Sequence, residues 1–180
     1  SDFSHSPTSP HTIIGGGAGG GFGNQLAWLR KDLATARQDP NIKFVVVYGH
    51  RPWYSSVKSD WPLHAEEHVQ AAFEPIFYEY RVDLYICGHK HFYERTASAS
   101  NGKENNVNGT VQIINGAAGN NEGVERGHGP KGLVVAANYA DEGFGSLQLV
   151  NNGTVLRWQY HLATNGSAVD QVDLTTRAHL

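Results

Sequence analysis

Two short apolar segments of this sequence each run directly into a Gly-His pair. They are VVVYGH at residues 45–50 and LYICGH at residues 84–89. A helical pattern lies between them, so the order strand, helix, strand predicts two parallel strands of one sheet. The loops at the carboxyl ends of parallel strands form the crevice where ligands bind, so we expect His50 and His89 to meet at one edge of that sheet.

The rest of the pattern predicts an α/β fold. A helix is expected after Asn24, because apolar residues recur there at helical spacing up to residue 36. Residues 42–48 are almost continuously apolar and β-branched, which is typical of a central strand covered on both faces. A second helix is predicted from about residue 63 to 80. Beyond residue 100, Asn-Gly turns separate short strands at 111–114, 145–150 and 154–162, so the second half is predicted to be mainly antiparallel.

Composition and charge exclude several classes of partner. The 180 residues carry 14 Lys and Arg against 17 Asp and Glu, a formal net charge of −3, so no basic excess is available for nucleic acid. No apolar run approaches the 18 or more residues of a membrane helix, so no membrane partner is expected. Cys87 is the only cysteine and cannot form a disulfide within the chain.

The sequence divides into two parts. Residues 1–23 are rich in Pro, Ser and Gly, and this composition predicts a flexible loop. Residues 24–180 form the predicted folded part. The sequence contains no Met, so we expect that translation did not begin at Ser1.

Three Asn-x-Ser/Thr sequons begin at Asn108, Asn152 and Asn165. They are candidate glycosylation sites and favour a secreted, extracellular glycoprotein. Each is also an Asn-Gly turn, the strongest short-range hairpin signal, so turn formation is the alternative explanation of the pattern.

A third histidine lies close to the second Gly-His pair. His91 follows His89 by two residues, and in an extended backbone both rings would face one side while Lys90 points away. The glycine before each strand-end histidine is expected to allow close backbone approach and a sharp exit from the strand. Because neutral imidazole is the commonest nitrogen ligand for transition metals, His50, His89 and His91 predict a metal site.

These motifs resemble those of the purple acid phosphatases, a branch of the metallophosphoesterases. Residues 47–50 fit V-x-x-H, and residues 88–95 (GHKHFYER) fit G-H-x-H-x-Y-E-R. Residues 25–33 resemble the helix that precedes the V-x-x-H strand, and residues 114–123 resemble a later glycine-rich segment. The resemblance covers most of residues 1–160 and implies the second half of an α/β/β/α sandwich, the C-terminal half of a metallophosphoesterase catalytic domain.

The resemblance also implies an activity and a metal centre. The family hydrolyses phosphate monoesters at acid pH with a metal-bound hydroxide at a binuclear centre of Fe(III) beside Fe, Zn or Mn. By motif position, His91 would bind the ferric ion, and His50 and His89 the divalent ion. Glu94 and Arg95 belong to the motif and would orient these imidazoles. A homodimer is compatible with the resemblance.

Part of the expected ligand set is missing from the sequence. The family motifs G-D-x-G, G-D-x-x-Y and G-N-H-E/D precede V-x-x-H, and this sequence contains no Gly-Asp or Asn-His dipeptide. Three imidazoles do not fill two coordination spheres. We therefore expect an N-terminal fragment of the same enzyme as partner, with a nick beside Ser1. The alternative is a non-catalytic, secreted β-rich module that binds carbohydrate or is structural, with at most one structural zinc.

Other residues near the motifs have two interpretations each. His64 is a candidate substrate contact, but His64 and His68 also suit a solvated helix face. Arg51 and Tyr54 flank His50 and are candidates for phosphate contact or for lining the pocket, with ordinary packing favoured for Tyr54. His128 lies in a Gly-rich stretch, which favours a loop over a substrate contact.

Overall fold

The computed structural model describes residues 25–57, 65–119, 121–126 and 135–177. Within them lie two helices, α1 (Gln25–Gln38) and α2 (Ala65–Glu79), and nine strands, namely β1 (Val46–Tyr48), β2 (Leu84–Cys87), β3 (Tyr93–Ser100), β4 (Lys103–Glu104), β5 (Thr110–Asn115), β6 (Val135–Tyr139), β7 (Gly143–Val150), β8 (Val155–Leu162) and β9 (Ala168–Thr175). The predicted loop at residues 1–23 and the helix cap at Asn24 lie outside the described residues.

The strands form two sheets. The first has the order β1-β2-β5-β3-β4, with β6 also paired to β3. Strands β1, β2 and β5 are parallel, and β3 runs antiparallel to β5. The second sheet is antiparallel, in the order β7-β8-β9. The predicted α/β class, with a parallel strand-helix-strand unit followed by antiparallel strands, is confirmed.

The first sheet is covered on both faces by apolar side chains. One face packs against α1 and α2, where Leu29 and Leu33 join Tyr85 and Cys87 in one buried cluster. The opposite face packs against the second sheet in a separate cluster that includes Leu84. Successive residues of β2 therefore alternate between the helices and the second sheet, as the twofold period of a strand requires. The described residues thus form an α/β/β arrangement of layers.

Aromatic side chains fill the space between the two sheets. Tyr93 on β3 stacks on Tyr160 of β8, with ring centroids 3.9 Å apart and planes inclined by 12°. The indole nitrogen of Trp158 donates a hydrogen bond of 3.0 Å to the Tyr93 hydroxyl. Leu156, Trp158 and Tyr160 are buried, and the residues between them are half-buried, so β8 packs one face into the space between the sheets.

A buried ionic cluster joins α1 to the start of β2. Asp83 is 1% exposed and accepts a hydrogen bond of 2.8 Å from the guanidinium of Arg37. It also accepts one of 2.8 Å from the backbone N–H of Val45. Arg177, beyond β9, places its Nε 3.4 Å from the other Asp83 oxygen. The cluster therefore ties together segments that lie far apart in the sequence.

The expectation of a central strand at residues 42–48 is wrong for the described part of the chain. Only Val46–Tyr48 form a strand, and among the described residues this strand pairs on one side, with β2. Tyr48 is 85% exposed. Asp39 accepts hydrogen bonds from the backbone and side-chain N–H groups of Asn41 and so closes the turn that precedes this segment.

In the described segments, neither helix is long and apolar enough to cross a membrane.

Candidate metal site

His50 and His89 lie side by side at the carboxyl ends of β1 and β2. The Nδ1 atom of His89 is 3.1 Å from the Nε2 atom of His50, and the ring centroids are 5.0 Å apart. Backbone hydrogen bonds align the two strand ends, because Gly49 donates to Ile86 and Gly88 donates to the His50 carbonyl, each at 3.0 Å. The two matched Gly-His segments therefore bring their imidazoles together as the strand order predicts.

A tight turn centred on His89 orients its ring. The N–H of Lys90 donates to the carbonyl of Gly88 at 2.8 Å, and His89 has φ of +69°. A three-residue turn with positive φ at a non-glycine residue is uncommon and is concentrated at functional sites. The extended backbone expected from His89 to His91 is wrong, because this turn interrupts it.

The two strand-end glycines differ in their roles. At Gly49, a Cβ atom would lie 2.7 Å from the Tyr85 hydroxyl, so the expected close approach is confirmed there. At Gly88, a Cβ atom would meet nothing within 4 Å, and the unusual φ belongs to His89 instead. The expected role of Gly88 is therefore wrong.

Gly116 supports the same turn from β5. A Cβ atom at Gly116 would overlap the carbonyl oxygen of Lys90, and the Gly116 N–H donates to the carbonyl of Phe92 at 3.2 Å. Lys90 itself is 2% exposed, and its ammonium lies 3.2 Å from a Glu66 carboxylate oxygen on α2. The turn is therefore packed between the end of β5 and α2.

His91 contacts a different set of groups. Its Nδ1 atom lies 3.5 Å from a carboxylate oxygen of Glu122. Its backbone N–H donates to the Glu125 carboxylate at 2.6 Å, and the Glu125 N–H donates back to the His91 carbonyl at 2.8 Å. In the part of the chain that the structure describes, no three His, Cys, Asp or Glu side chains are grouped as metal ligands. Sequence reasoning missed Glu122 and Glu125, although Glu122 lies within the glycine-rich segment at residues 114–123 and Glu125 lies just beyond it.

Arg51 contacts the imidazole pair directly. Its Nη1 atom lies 2.9 Å from Nε2 of His89, and the side chain is 5% exposed. A cavity of about 120 Å³ opens beside it, lined by His50, Arg51 and apolar residues of α1, β1 and α2. The site thus combines two imidazoles, one guanidinium and a largely apolar wall.

The loop after His50 is fastened by two buried polar side chains. Gln112 on β5 accepts from the N–H groups of Trp53 and Tyr54 and donates to the Tyr54 carbonyl at 2.6 Å. Glu94 on β3 accepts hydrogen bonds from the Ser56 N–H and hydroxyl. Gln112 is the polar residue within the otherwise apolar run at residues 111–114, which is the sequence signal that could have identified it.

Glu94 is also bound by Asn138 on β6, at 2.9 Å. Burial raises the pKa of Glu94, and its hydrogen bonds to Ser56 and Asn138 counteract that rise without cancelling it. The Glu94 carboxyl therefore links β3, β6 and the loop after His50.

Tyr93 and Arg95 of the same motif contact the second sheet. The Tyr93 hydroxyl donates to Asp170 at 2.6 Å, and the Arg95 guanidinium donates two hydrogen bonds to that carboxylate at 2.7 and 2.8 Å. Burial opposes ionisation of Asp170, but these hydrogen bonds outweigh it and hold its pKa below the usual 3.8. Tyr93 and Arg95 therefore contact the second sheet, whereas Glu94, between them, lies on the opposite face of β3.

Replacing Asp170→Asn tests this contact through its pH dependence. A carboxyl with a lowered native pKa contributes stability above its unfolded pKa of about 3.9, and this stability is lost as pH falls through the native pKa. We expect the variant to lose about 2 kcal/mol at pH 7, or about 4–8 °C in melting temperature. In thermal unfolding measured from pH 7 to pH 2.5, the difference in melting temperature between the variant and its parent, here called the gap, should disappear below about pH 4. Asp32→Asn, on the exposed face of α1, is the control; a gap independent of pH would contradict the assignment.

The remaining sequence candidates fall in three groups. His64 and His128 lie outside the described residues, and of His68 only the position in α2 is described. Tyr54 is 3% exposed, hydrogen-bonds Glu74 and accepts from the Gly102 N–H, so packing is confirmed for it. Cys87 is buried and unpaired, and burial raises its pKa.

The three sequons lie in different surroundings. Asn152 and Asn165 are exposed in turns, and Gly153 and Gly166 beside them have positive φ. Asn108 is half-buried, and Thr110 of its sequon is buried and donates to the Val82 carbonyl at 3.0 Å. The turns predicted at these positions are confirmed.

Two family models match this chain. The model described as calcineurin-like phosphoesterase matches residues 9–93, and the model described as iron/zinc purple acid phosphatase-like protein C matches residues 109–171. Similar proteins include an acid phosphatase of Aspergillus ficuum, 32% identical over 173 residues that cover 87% of this chain and 27% of that protein. Purple acid phosphatase 18 of Arabidopsis thaliana is 34% identical over 141 residues, which cover 78% of this chain and 31% of that protein.

Solved structures share the fold. The purple acid phosphatase PPD1 from yellow lupin seeds superposes with a TM-score of 0.67 at 20% identity, over 85% of this chain and 28% of that chain. GAP50, the anchor in the inner membrane complex of Plasmodium, superposes with a TM-score of 0.66 at 24% identity, over 86% of this chain and 44% of that chain. At these identities the likeness concerns the fold.

The layered fold, with paired imidazoles at the ends of adjacent parallel strands, is that of the calcineurin-like metallophosphoesterases. Within this class, the chain belongs to the purple acid phosphatase family. It spans 25% to 40% of the length of four of the curated relatives that it matches.

Proposed function

We propose that this chain supplies the imidazole ligands of a binuclear metal centre in an acid phosphatase that hydrolyses phosphate monoesters. His50 and His89 would hold a divalent ion, Fe, Zn or Mn, and His91 would hold Fe(III). The observation that supports this most directly is the 3.1 Å approach of the His50 and His89 rings at the ends of two parallel strands. The apolar cavity beside them offers room for a substrate.

The three histidines are suitable ligands for transition metals, but they are too few to complete the coordination of two metal ions. Imidazole nitrogens suit Fe, Zn and Mn, yet two converging rings and the separate His91 leave most coordination positions to other ligands. We infer that carboxylate, amide and phenolate ligands come from polypeptide outside this sequence. Two bound metal ions would clamp phosphate oxygens and lower the pKa of water, which provides a nucleophile at acid pH.

The chain's own residues would bind and orient the substrate. Arg51 carries a permanent positive charge beside His89, and a guanidinium matches two phosphate oxygens in geometry. Glu94 and Gln112 would keep Arg51 in place, because both fasten the loop that carries it. Arg95 would act further away, through Asp170. His64 remains a predicted substrate contact.

The metal content of a full-length hybrid tests this function. In the hybrid, this chain replaces the matching part of the Arabidopsis relative, which supplies the remaining residues. We expect about two metal ions per molecule, including iron, and hydrolysis of p-nitrophenyl phosphate at acid pH. His89→Ala should remove one metal ion and lower turnover by more than the 10–100-fold that loss of a ligand's hydrogen-bond partner typically causes.

His161→Ala is the matched control, because His161 lies on β8 and contacts Ser146 in the second sheet. This variant should keep the parent's metal content and turnover. Full metal content in His89→Ala would contradict the ligand assignment. One zinc or none in the parent hybrid would instead favour the non-catalytic, β-rich binding module.

The setting of the enzyme is part of the same proposal. The partners would be a phosphate-ester substrate and the N-terminal part of the enzyme, and a homodimer is compatible with the family. We propose a secreted protein with glycans on Asn152 and Asn165, whose exposure in turns supports access by the glycosylation machinery. The half-buried Asn108 is the third sequon.

A further inference from the structure

Three polar side chains of α2 lie along one face of the helix. They are Glu66, Gln70 and Glu74, and their spacing of four residues places them one above another. Charged side chains are mostly exposed in proteins. Glu74 is nevertheless 9% exposed, and the Glu66 side chain is 20% exposed. We call these three residues the inner stripe of α2, because each contacts a group inside the protein rather than solvent alone.

One end of the inner stripe contacts the turn that carries His89. The Lys90 ammonium is buried and lies 3.2 Å from the Glu66 carboxylate. Transfer of an ammonium out of water costs free energy unless a counter-charge compensates it, and Glu66 supplies that charge here. Because the Lys90 N–H also donates to the carbonyl of Gly88, the whole turn around His89 is fixed to α2 through Lys90.

The other end of the inner stripe contacts the loop that carries Arg51. The Tyr54 hydroxyl donates to Glu74, and the Gln70 side chain donates to the other oxygen of that carboxylate at 2.8 Å. Burial raises the pKa of Tyr54, so its hydroxyl keeps its proton and remains a donor. Tyr54 follows Arg51 by three residues, so this contact holds the loop on α2.

The tip of the β3–β4 hairpin closes this end of the inner stripe. Asn101 and Gly102 both have positive φ, as a two-residue hairpin turn requires. The Asn101 N–H donates to Glu74, and the Gly102 N–H donates to the Tyr54 hydroxyl, each at 2.8 Å. The Glu74 carboxylate therefore joins the helix, the loop and the hairpin at one buried point.

The helix sets the separation of the two contacts. Glu66 and Glu74 are eight residues apart, which is about 12 Å along a helix axis. Buried apolar residues of α2, including Phe77, hold the helix against the sheet. The helix therefore connects the turn of His89 to the loop of Arg51, whose side chains approach to 2.9 Å.

We propose that the inner stripe positions Arg51 and His89 relative to each other, with Lys90 and Tyr54 as the positioning residues on the two segments. This inference rests on the proposed function, in which Arg51 binds phosphate and His89 binds a metal ion. The two ends of the stripe act on different steps. The Lys90 contact affects metal binding, and the Tyr54 contact affects binding of the phosphate group.

Two variants of the full-length hybrid test this division. Lys90→Met removes the ammonium, and we expect zinc to bind about 10–100-fold more weakly in an equilibrium titration, the usual effect of losing a contact that orients a metal ligand. At saturating zinc, its KM for p-nitrophenyl phosphate should match that of the parent. Tyr54→Phe removes one hydroxyl and should raise this KM about tenfold, as loss of one buried hydrogen bond does, with unchanged zinc affinity.

Lys31→Met and Tyr78→Phe are the matched controls. Lys31 is exposed on α1 and Tyr78 is 41% exposed on α2, so each control makes the same chemical change outside the inner stripe. Both controls should keep the parent's zinc affinity and KM.

A charge-exchanged variant distinguishes the ion pair from packing alone. Lys90→Glu combined with Glu66→Lys restores a pair of opposite charges with the same total side-chain length. This variant should recover most of the zinc affinity that Lys90→Met loses. Zinc affinity no better than that of Lys90→Met would contradict the role of the ion pair.

Hydrogen exchange of the metal-free hybrid, followed by mass spectrometry, needs neither metal nor turnover. Lys90→Met should accelerate exchange about tenfold in a peptide that covers residues 88–92 and leave residues 51–57 unchanged. Tyr54→Phe should do the reverse. A peptide that covers residues 155–162 of β8 should exchange at the parent's rate in both variants.

Two patterns of exchange would overturn the proposal. Faster exchange in all three peptides would show that the inner stripe supports the whole fold rather than the two segments. Unchanged exchange in both variants would show that other contacts hold the turn and the loop. A parent hybrid that binds no zinc would contradict the proposed function, whereas the exchange pattern would still decide whether the stripe positions the two segments.

Discussion

Replacing Asp83→Ala should destabilise the chain by about 3–5 kcal/mol, the usual cost of removing one partner from a buried ion pair. Asp83 is 1% exposed and receives hydrogen bonds from Arg37 and from the Val45 backbone, with Arg177 at 3.4 Å. Without the carboxylate, Arg37 would remain buried with an uncompensated charge. For a chain of this size, the melting temperature should fall by about 6–20 °C.

Asp173→Ala is the matched control for Asp83→Ala. Asp173 makes two hydrogen bonds to Arg157, but both side chains are about one third exposed. An exposed pair contributes little to stability, because solvent screens its charges. Differential scanning calorimetry of the two variants therefore distinguishes the loss of a buried ion pair from the loss of an exposed one. Equal shifts would mean that Asp83 contributes no more than a surface carboxylate.

Replacing Gly116→Ala should cost about 3 kcal/mol, at the upper end of the usual effect of overpacking. The added methyl would overlap the Lys90 carbonyl oxygen, a backbone atom that cannot rotate away. The turn around His89 would have to shift, and the His89 ring with it. We expect a melting temperature lower by about 6–12 °C in thermal unfolding.

Gly88→Ala provides the control within the same turn. A methyl at Gly88 would meet nothing within 4 Å, and Gly88 does not have positive φ. Alanine at such a position reduces the entropy of the unfolded chain and stabilises by about 0.4–1 kcal/mol. The two substitutions should therefore shift the melting temperature in opposite directions. A stable Gly116→Ala variant would show that the turn adapts.

The sequence predicted those parts of the site that depend on strand order. His50 and His89 follow two strands joined by a helix, and the chirality and polarity of such units leave few alternatives. The orientation of the His89 ring was not predictable, because its positive φ is stabilised by Gly116 and Lys90 rather than by local preference. The extended backbone assumed between His89 and His91 failed for the same reason.

Long-range contacts explain most of what the sequence did not reveal. The partnership of Arg37 with Asp83 spans 46 residues, and that of Arg95 with Asp170 spans 75. Neither has a local signature, since a charged residue in a helix or strand is usually solvated. The edge position of β1 was also hidden, because residues 42–48 have the composition of a strand with two neighbours.

The contacts of Tyr93 and Arg95 with Asp170 cannot form until late in synthesis of the chain. Arg95, on β3, is translated 75 residues before Asp170, the carboxylate to which it donates hydrogen bonds. Until β8 and β9 are available, the face of β3 that carries Tyr93 lacks both its aromatic cover and its counter-ion. Contacts of such sequence separation are formed slowly, because closing a long loop costs entropy before the contact is made. We therefore expect the face of β3 that carries Tyr93 and Arg95 to be among the last surfaces of the chain to reach its final packing.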